Sequence, residues 1–95
     1  MTDYLVELYV SRTNGAAVAV EGRRIRLAAA ELTAEGRPVR LRQSIFVPED
    51  ETCFLLVEAP TAADVREVAR RAAVPYERVV KTARPDSAPT PIAEV

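Results

Sequence analysis

An α+β fold is predicted by the order in which hydrophobic periodicities follow one another along this chain. Residues 4–10 alternate with a period of two, as a half-buried strand does, and the apolar residues that follow recur every three to four positions to about residue 35, as in an amphipathic helix. A strand–turn–strand segment, a second helix and a short last strand complete the chain. The order strand, helix, strand, strand, helix, strand predicts the ferredoxin-like arrangement: a four-stranded antiparallel sheet with two helices on one face.

The first strand and first helix each have one clear apolar side. In the strand, Tyr4, Val6, Leu8 and Val10 share the face that we expect the helices to cover. In the helix, the stripe consists of Val18, Gly22, Ile25, Ala29 and Leu32. Gly36 is a plausible left-handed cap, and Pro38 blocks continuation of the helix.

The central segment, residues 44–61, predicts two strands joined by a tight acidic turn. In the strand at 39–47, Val39, Leu41, Ile45 and Val47 share one face, interrupted by Gln43, while the other face carries Arg40, Arg42, Ser44 and Phe46. In the strand at 52–59, Cys53, Leu55 and Val57 point one way and Phe54, Leu56 and Glu58 the other. We expect the acids of the turn, Glu49, Asp50 and Glu51, to be solvated.

A helix-capping pair and a helix-breaking proline define the second helix, and the fourth strand follows it. Thr61 followed by Asp64 resembles a capping box, and Val65, Val68, Ala69 and Ala72 form the apolar stripe of the second helix. Pro75 ends that helix, and residues 78–82 predict the fourth strand. We therefore expect a single ferredoxin-like domain over residues 1–83, followed by a flexible Pro-rich C-terminal tail over 84–95.

Composition limits the classes of function. The net charge of −1 gives no long-range attraction to nucleic acid or membrane, so we expect neither as a partner. The single cysteine excludes an intrachain disulfide, and the absence of histidine removes the commonest base and metal ligand. We expect no cofactor. Without a signal peptide or apolar span, the expected location is cytoplasmic, and the Ala- and Arg-rich composition is typical of a bacterial gene.

The sheet face away from the helices is where a ligand or partner is expected. It is predicted to carry an unusual mixture of aromatic, aliphatic and charged side chains for a solvated surface. Homodimerisation through this face, with two-fold symmetry, is the simplest way to cover it. The residues predicted for the ligand or interface role are Leu5, Tyr9, Arg40, Ser44, Phe46, Phe54 and Leu56.

Glu7 and Glu58 are the candidate catalytic groups, because both lie on central strands and on that face. With Arg42 nearby, one carboxylate would act as a base and the arginine would orient an anionic substrate. The alternative is a ladder of cross-strand ion pairs that satisfies charges at a dimer interface. The sequence does not decide between an enzyme and a binding module.

Four segments carry a resemblance to a known family. The stretches YLVELY at 4–9, FVPEDETCFLLVEAP at 46–60, TAADVREVARRA at 61–72 and VPYERVVK at 74–81 resemble small bacterial ferredoxin-like domains of unknown function, called nickel-binding-protein-like after one member. The resemblance implies the ferredoxin-like fold and dimerisation. The family's metal site depends on histidines, which this chain lacks, so no residue inherits a role as a metal ligand.

These observations lead to a ranked functional expectation. The first is a small cytoplasmic binding domain, a homodimer that holds a small hydrophobic or anionic molecule, or a protein partner, at the open sheet. The alternative is a cofactor-independent enzyme of the dimeric α+β barrel type, an isomerase, cyclase or oxygenase acting on a hydrophobic metabolite. A metal-binding protein comes last because histidine is absent.

Overall fold

The computed structural model describes residues 1–83 and confirms the predicted fold class. Its elements are β1 (Thr2–Tyr9), α1 (Ala16–Ala34), β2 (Arg40–Val47), β3 (Thr52–Ala59), α2 (Ala62–Ala72) and β4 (Arg78–Lys81). The strands form one antiparallel sheet in the order β2-β3-β1-β4, so β1 and β3 lie in the centre. The predicted tail at 84–95 lies outside the described residues.

The core lies between the two helices and one face of the sheet. Alternate residues of the central strands are buried, among them Val6 and Leu8 in β1 and Leu55 in β3. The predicted helix stripes are confirmed: Ile25 and Leu32 of α1 and Val65 and Val68 of α2 are at most 2% exposed. Each such aliphatic side chain contributes about 1.5–3 kcal/mol by leaving water, which makes the helix–sheet layer the main source of stability. The helix-facing residues are Tyr4, Val6, Leu8, Cys53, Leu55, Val57 and Ala59 on the central strands.

The end of α1 and the start of α2 follow the predicted capping signals. Gly36 has φ of +88° and closes α1, where the Gly36 N–H donates to the Thr33 carbonyl and the Arg37 N–H donates to the Leu32 carbonyl. This pair of bonds is the Schellman ending that a left-handed glycine permits. In α2, the Thr61 hydroxyl oxygen accepts from the Asp64 N–H at 3.2 Å, so the predicted cap is confirmed.

A β-bulge in β2 changes the face to which part of that strand belongs. Leu41 lies opposite Val57 and Gln43 lies opposite Leu56, so Arg42 is an extra residue with no partner of its own in the register. An extra residue shifts the alternation by one, and every side chain after it turns to the opposite face. The faces predicted for residues 39–41 are confirmed, and those predicted for residues 44–47 are wrong.

The bulge removes Ser44 and Phe46 from the open side of the sheet, where the sequence placed them. Phe46 is half-buried and packs against the core beneath α1, and a Cβ added to Gly15 would lie 3.5 Å from its ring. Ser44 Oγ lies 3.7 Å from the place of a Cβ on Gly22. Ile45 moves in the opposite direction. It was predicted to lie in the core, but it lies on the open side of the sheet and is 43% exposed.

No helix among residues 1–83 combines the length and apolar character that crossing a bilayer requires.

Candidate functional site on the open sheet face

The open face, defined here as the side of the sheet turned away from α1 and α2, carries an apolar diagonal across all four strands. Leu5 of β1 is the register neighbour of Leu56 on β3 and of Val80 on β4. Phe54 on β3 is the neighbour of Ile45 on β2. Ile45 is 43% and Val80 38% exposed, so part of this surface faces water. The apolar diagonal consists of Ile45, Phe54, Leu56, Leu5 and Val80.

Two ion pairs border the apolar diagonal at the end of the sheet where β3 finishes. Arg40 Nη2 lies 3.2 Å from Glu58 Oε1, and Arg42 Nη1 donates to Asp3 Oδ2 at 3.3 Å. Asp3 and Glu58 are themselves neighbours in the β1–β3 register. Two carboxylates side by side repel each other, and the two arginines of β2 balance them. Arg42 lies on this face because it is the extra residue of the bulge. Arg42 and Gln43 together occupy the place opposite Leu56.

A third ion pair borders the apolar diagonal at the opposite end. Arg78 Nε donates to Glu7 Oε1 at 2.8 Å across the β1–β4 ladder. Next to this pair, Glu7, Tyr9, Glu51 and Arg78 are among the residues that line a groove of about 450 Å³. Tyr9 is 61% exposed, and its hydroxyl reaches Glu51 Oε2 at 3.5 Å.

The structure does not bring the catalytic candidates together. Glu7 is the neighbour of Phe54 and Glu58 is the neighbour of Asp3, so four rows of the ladder, about 13 Å at roughly 3.3 Å per residue, separate the two carboxylates. Glu7, Glu58 and Arg42 each hold a different partner within the chain. This geometry favours the predicted alternative, a set of cross-strand ion pairs. A catalytic role for Glu7, Glu58 or Arg42 stays a prediction.

Glu51 connects two loops, which corrects the expectation that the whole acidic turn is solvated. The short 3₁₀ turn Pro48–Asp50 ends at Glu51, whose φ is 50°. Its side-chain Oε2 accepts from the Arg12 N–H at 3.0 Å, and its carbonyl accepts from the Val10 N–H at 3.0 Å. Glu49 and Asp50 are exposed, as predicted. Within residues 1–83, no three Asp, Glu or Cys side chains gather in a way that would hold a metal ion.

Comparison with protein families gives a match. The model of the nickel-responsive protein SCO4226-like family matches residues 9–81, which is most of the chain. The chain belongs to the SCO4226-like family. The resemblance inferred from the sequence motifs is therefore confirmed at the level of the family. Searches of curated proteins and of solved structures gave no match.

Membership of the SCO4226-like family does not by itself assign a function to the open face. Several residues of the open face are not among those that the sequence predicts for it. Regular alternation predicts Ile45 in the core, because a bulge has little local signature in the sequence. Asp3 lay just outside the predicted first strand, which begins at Thr2 in the structure. Arg78 and Val80 could have been predicted for the open face from the sequence, because alternate residues of a strand lie on the same face of the sheet.

Cys53 lies on the helix side of β3, on the same face as Leu55 and Val57, as the alternation of that strand predicts. The residue is 1% exposed. Burial raises the pKa of the Cys53 thiol, and the nearby Glu21 carboxylate raises this pKa further. A thiol that resists ionisation is a poor nucleophile. Cys53 therefore belongs to the core and not to the candidate site.

Proposed function

We propose that this protein is a small binding domain that works as a homodimer, with the open faces of two copies packed against each other. The observation that carries the proposal is the apolar diagonal, which crosses all four strands and has no helix or loop of residues 1–83 over it. A contiguous apolar patch on a small domain is characteristic of an interaction surface. A two-fold axis would bring the same diagonal from both copies into contact.

The dimensions of the sheet are compatible with a stable interface. The three longer strands have eight residues each and the fourth has four. With a rise of roughly 3.3 Å per residue and a strand spacing of roughly 4.8 Å, the face measures about 26 by 19 Å before side-chain relief is added. Stable interfaces bury about 800 Å² per partner, whereas 26 by 19 Å is only about 490 Å² in plan, so the whole face and the relief of its side chains would be needed.

The ion pairs at both ends of the apolar diagonal support the same proposal. Glu7, Glu58 and Asp3 each have an arginine partner within their own chain, so packing two open faces would not bury an unpaired carboxylate from this set. Unpaired buried charges are the usual obstacle to covering a polar sheet face, and paired ones cost much less. The charged ends then act as a polar rim around an apolar centre.

The family description as nickel-responsive does not by itself provide nickel ligands in this chain. Histidine is absent from all 95 residues, and the lone cysteine is buried in the core. Borderline metals such as nickel prefer imidazole and thiolate ligands. We therefore propose that apolar contacts hold the homodimer together and that its assembly requires no metal ion.

Light scattering after size-exclusion chromatography tests the proposal. At micromolar concentration the protein is expected to elute with about twice the 10.4 kDa mass of the chain. Leu56→Asp places a charge in the middle of the apolar diagonal and should give a monomer, since burying an unpaired carboxylate costs several kcal/mol. Ile45→Asp, at a more exposed position of the same diagonal, should act in the same direction.

Leu27→Asp is the matched control. Leu27 is 63% exposed on the solvent side of α1, far from the sheet, so the same substitution there should leave the dimer intact. Circular dichroism of each variant verifies that it is folded. A monomeric wild-type protein at micromolar concentration contradicts the proposal, as does a folded Leu56→Asp variant that remains dimeric.

A further inference from the structure

A second concave surface lies on the helix side of the molecule, away from the open face. It is a groove of about 640 Å³ between the outer flank of α2 and the loop that leads into β4. The groove is open to solvent and not enclosed, and its volume is large enough for a ligand of one ring. Its apolar walls are Ala63, Val74, Pro75 and Tyr76, and its polar residues are Arg66, Glu67 and Arg70.

Arg66 is the available cation of this groove. Arg70 donates twice to Glu67, at 2.9 and 2.7 Å, and Glu67 also accepts from Arg71. Arg66, one turn before Arg70, has neither a hydrogen bond nor an ion pair with any residue among 1–83. Seven other arginines in this part of the chain do have a carboxylate within ion-pair distance. An unpaired guanidinium beside an apolar wall is suited to a carboxylate, which it can bind with two parallel hydrogen bonds.

The apolar walls are held in place before any ligand arrives. The Ala73 N–H donates to the Arg70 carbonyl at 3.1 Å and the Val74 N–H donates to the Ala69 carbonyl at 3.0 Å. On the other side of the loop, the Glu77 N–H donates to the Glu7 carbonyl at 2.7 Å. Pro75 fixes its own φ between these anchors. A preformed wall reduces the ordering cost of binding.

The chemistry of the groove specifies the shape of its ligand. Val74 is buried at the base of the groove, whereas Tyr76 keeps 37% of its surface exposed and presents an aromatic ring at the wall. Flat rings pack well against tyrosine and proline, and the single free cation calls for one negative charge. We propose that this groove binds a small aromatic monocarboxylate, with the carboxylate on Arg66 and the ring against Pro75 and Tyr76.

Phenylacetate is the probe for this proposal, and a ¹⁵N-labelled sample of the full chain gives the readout. Titration with phenylacetate should shift the backbone amide signals of residues 63–74 and of Tyr76 and leave those of the open face unchanged. Phenylacetamide has the same ring and shape without the charge, so it should bind at least about fivefold more weakly. Arg66→Gln should weaken phenylacetate binding by about the same factor.

Arg23→Gln is the matched control, because Arg23 is an exposed and unpaired arginine on α1 that does not line the groove. It should bind phenylacetate as the wild type does. Shifts that map elsewhere, equal affinity for the amide, or an unchanged affinity in Arg66→Gln would each overturn the proposal. The same titration in the Leu56→Asp variant separates the two proposals, since the groove does not depend on a second copy.

Discussion

At the scale of single residues, Glu21 is a carboxyl group whose ionised form is disfavoured by its surroundings. It lies on the flank of α1 beside the buried Gly22 and Ile25. Its Oε1 atom is buried and accepts no hydrogen bond from any side chain or backbone group in residues 1–83. Burial raises the pKa of the Glu21 carboxyl, and the Arg24 guanidinium only partly opposes this.

A raised pKa in the folded protein means that ionised Glu21 weakens the native state. The group favours folding while it is protonated, below its unfolded value near 4.5, and this contribution is lost as the pH rises through the folded pKa. Glu21→Gln should therefore increase the free energy of unfolding at pH 7, by on the order of 0.5 kcal/mol. The gain should disappear near pH 4. Urea denaturation at the two pH values measures both differences.

Glu49→Gln is the control for this prediction, because Glu49 is an exposed carboxylate of the acidic turn. Its removal should leave the free energy of unfolding nearly unchanged at both pH values. A Glu21→Gln variant that is less stable than the wild type at pH 7, or equally shifted at pH 4, would contradict the role assigned to the buried oxygen.

At the scale of elements, a network of ion pairs joins the two helices along their outer contact. Arg71 of α2 binds Glu35, which follows the end of α1, at 2.8 and 2.9 Å and also binds Glu67 at 2.8 Å. Near the start of α2, the Arg37 side chain donates to the buried Asp64 at 2.8 Å. Glu67 and Arg71 form an i, i+4 pair, a spacing that brings two side chains together on one face of a helix. Its extension to Glu35 depends on how the helices pack.

Glu67 gives this network its dependence on pH. Hydrogen bonds from Arg70 and Arg71 lower the pKa of the Glu67 carboxyl to about 2. The stabilisation is present above the unfolded pKa near 4.5 and is lost as the pH falls toward 2. Glu67→Gln should lower Tm at pH 7 by about 1–3 °C, a small effect because the pairs are solvated.

The difference in Tm between Glu67→Gln and the wild type should shrink as the pH is lowered from 4.5 to 2, because the wild-type carboxyl then becomes neutral as well. Calorimetry across this range measures it. A difference that stays constant down to pH 2 would show that the substitution acts through packing and not through charge.

The two glycines associated with α1 should respond to alanine with opposite signs. A Cβ at Gly22 would meet its nearest neighbours at 3.6–3.9 Å, which is ordinary contact, so Gly22→Ala should stabilise the helix by about 0.5–1 kcal/mol. Gly36 has open space around it but a φ of +88°, so Gly36→Ala should destabilise by about 1 kcal/mol. Denaturant unfolding of both variants tests the pair, and a destabilised Gly22→Ala would indicate a packing requirement.

The bulge in β2 also affects the edge of the sheet. β2 is an edge strand, and an edge strand exposes unpaired backbone groups to other chains. A bulge interrupts the regular ladder, and the flanking Arg40, Arg42 and Gln43 are exposed. At the opposite edge, β4 has only four residues. The bulge in β2 and the shortness of β4 both disfavour pairing of these strand edges with other chains.

At the scale of the whole molecule, the sheet has one face covered by helices and one that carries the apolar diagonal. A domain near this size buries only about 60–65% of its unfolded surface, so its margin of stability is small. If the open faces pair, unfolding is coupled to dissociation, and Tm should rise with protein concentration. The Leu56→Asp variant should show a Tm that does not change with concentration.

The sequence by itself determined the elements, the end of α1, the start of α2 and the buried stripes, because each depends on residues that are close along the chain. Thr61 with Asp64, Gly36 after α1, and the alternation in β1 and β3 all led to the observed structure. The same local signals carried the family motifs. Glu7, Tyr9, Phe54, Leu56 and Glu58 were placed on the correct face because their strands have no irregularity.

Only the tertiary structure decided the composition of the open face and the partners of its charges. One extra residue at Arg42 moved Ser44 and Phe46 to the core side and brought Ile45 to the open face. A bulge arises from pairing with the neighbouring strand, so its local signal is weak: Gln43 in an apolar pattern was the one trace of it. The pairs Glu7–Arg78 and Asp3–Arg42 join residues 71 and 39 positions apart, which periodicity along the chain does not connect.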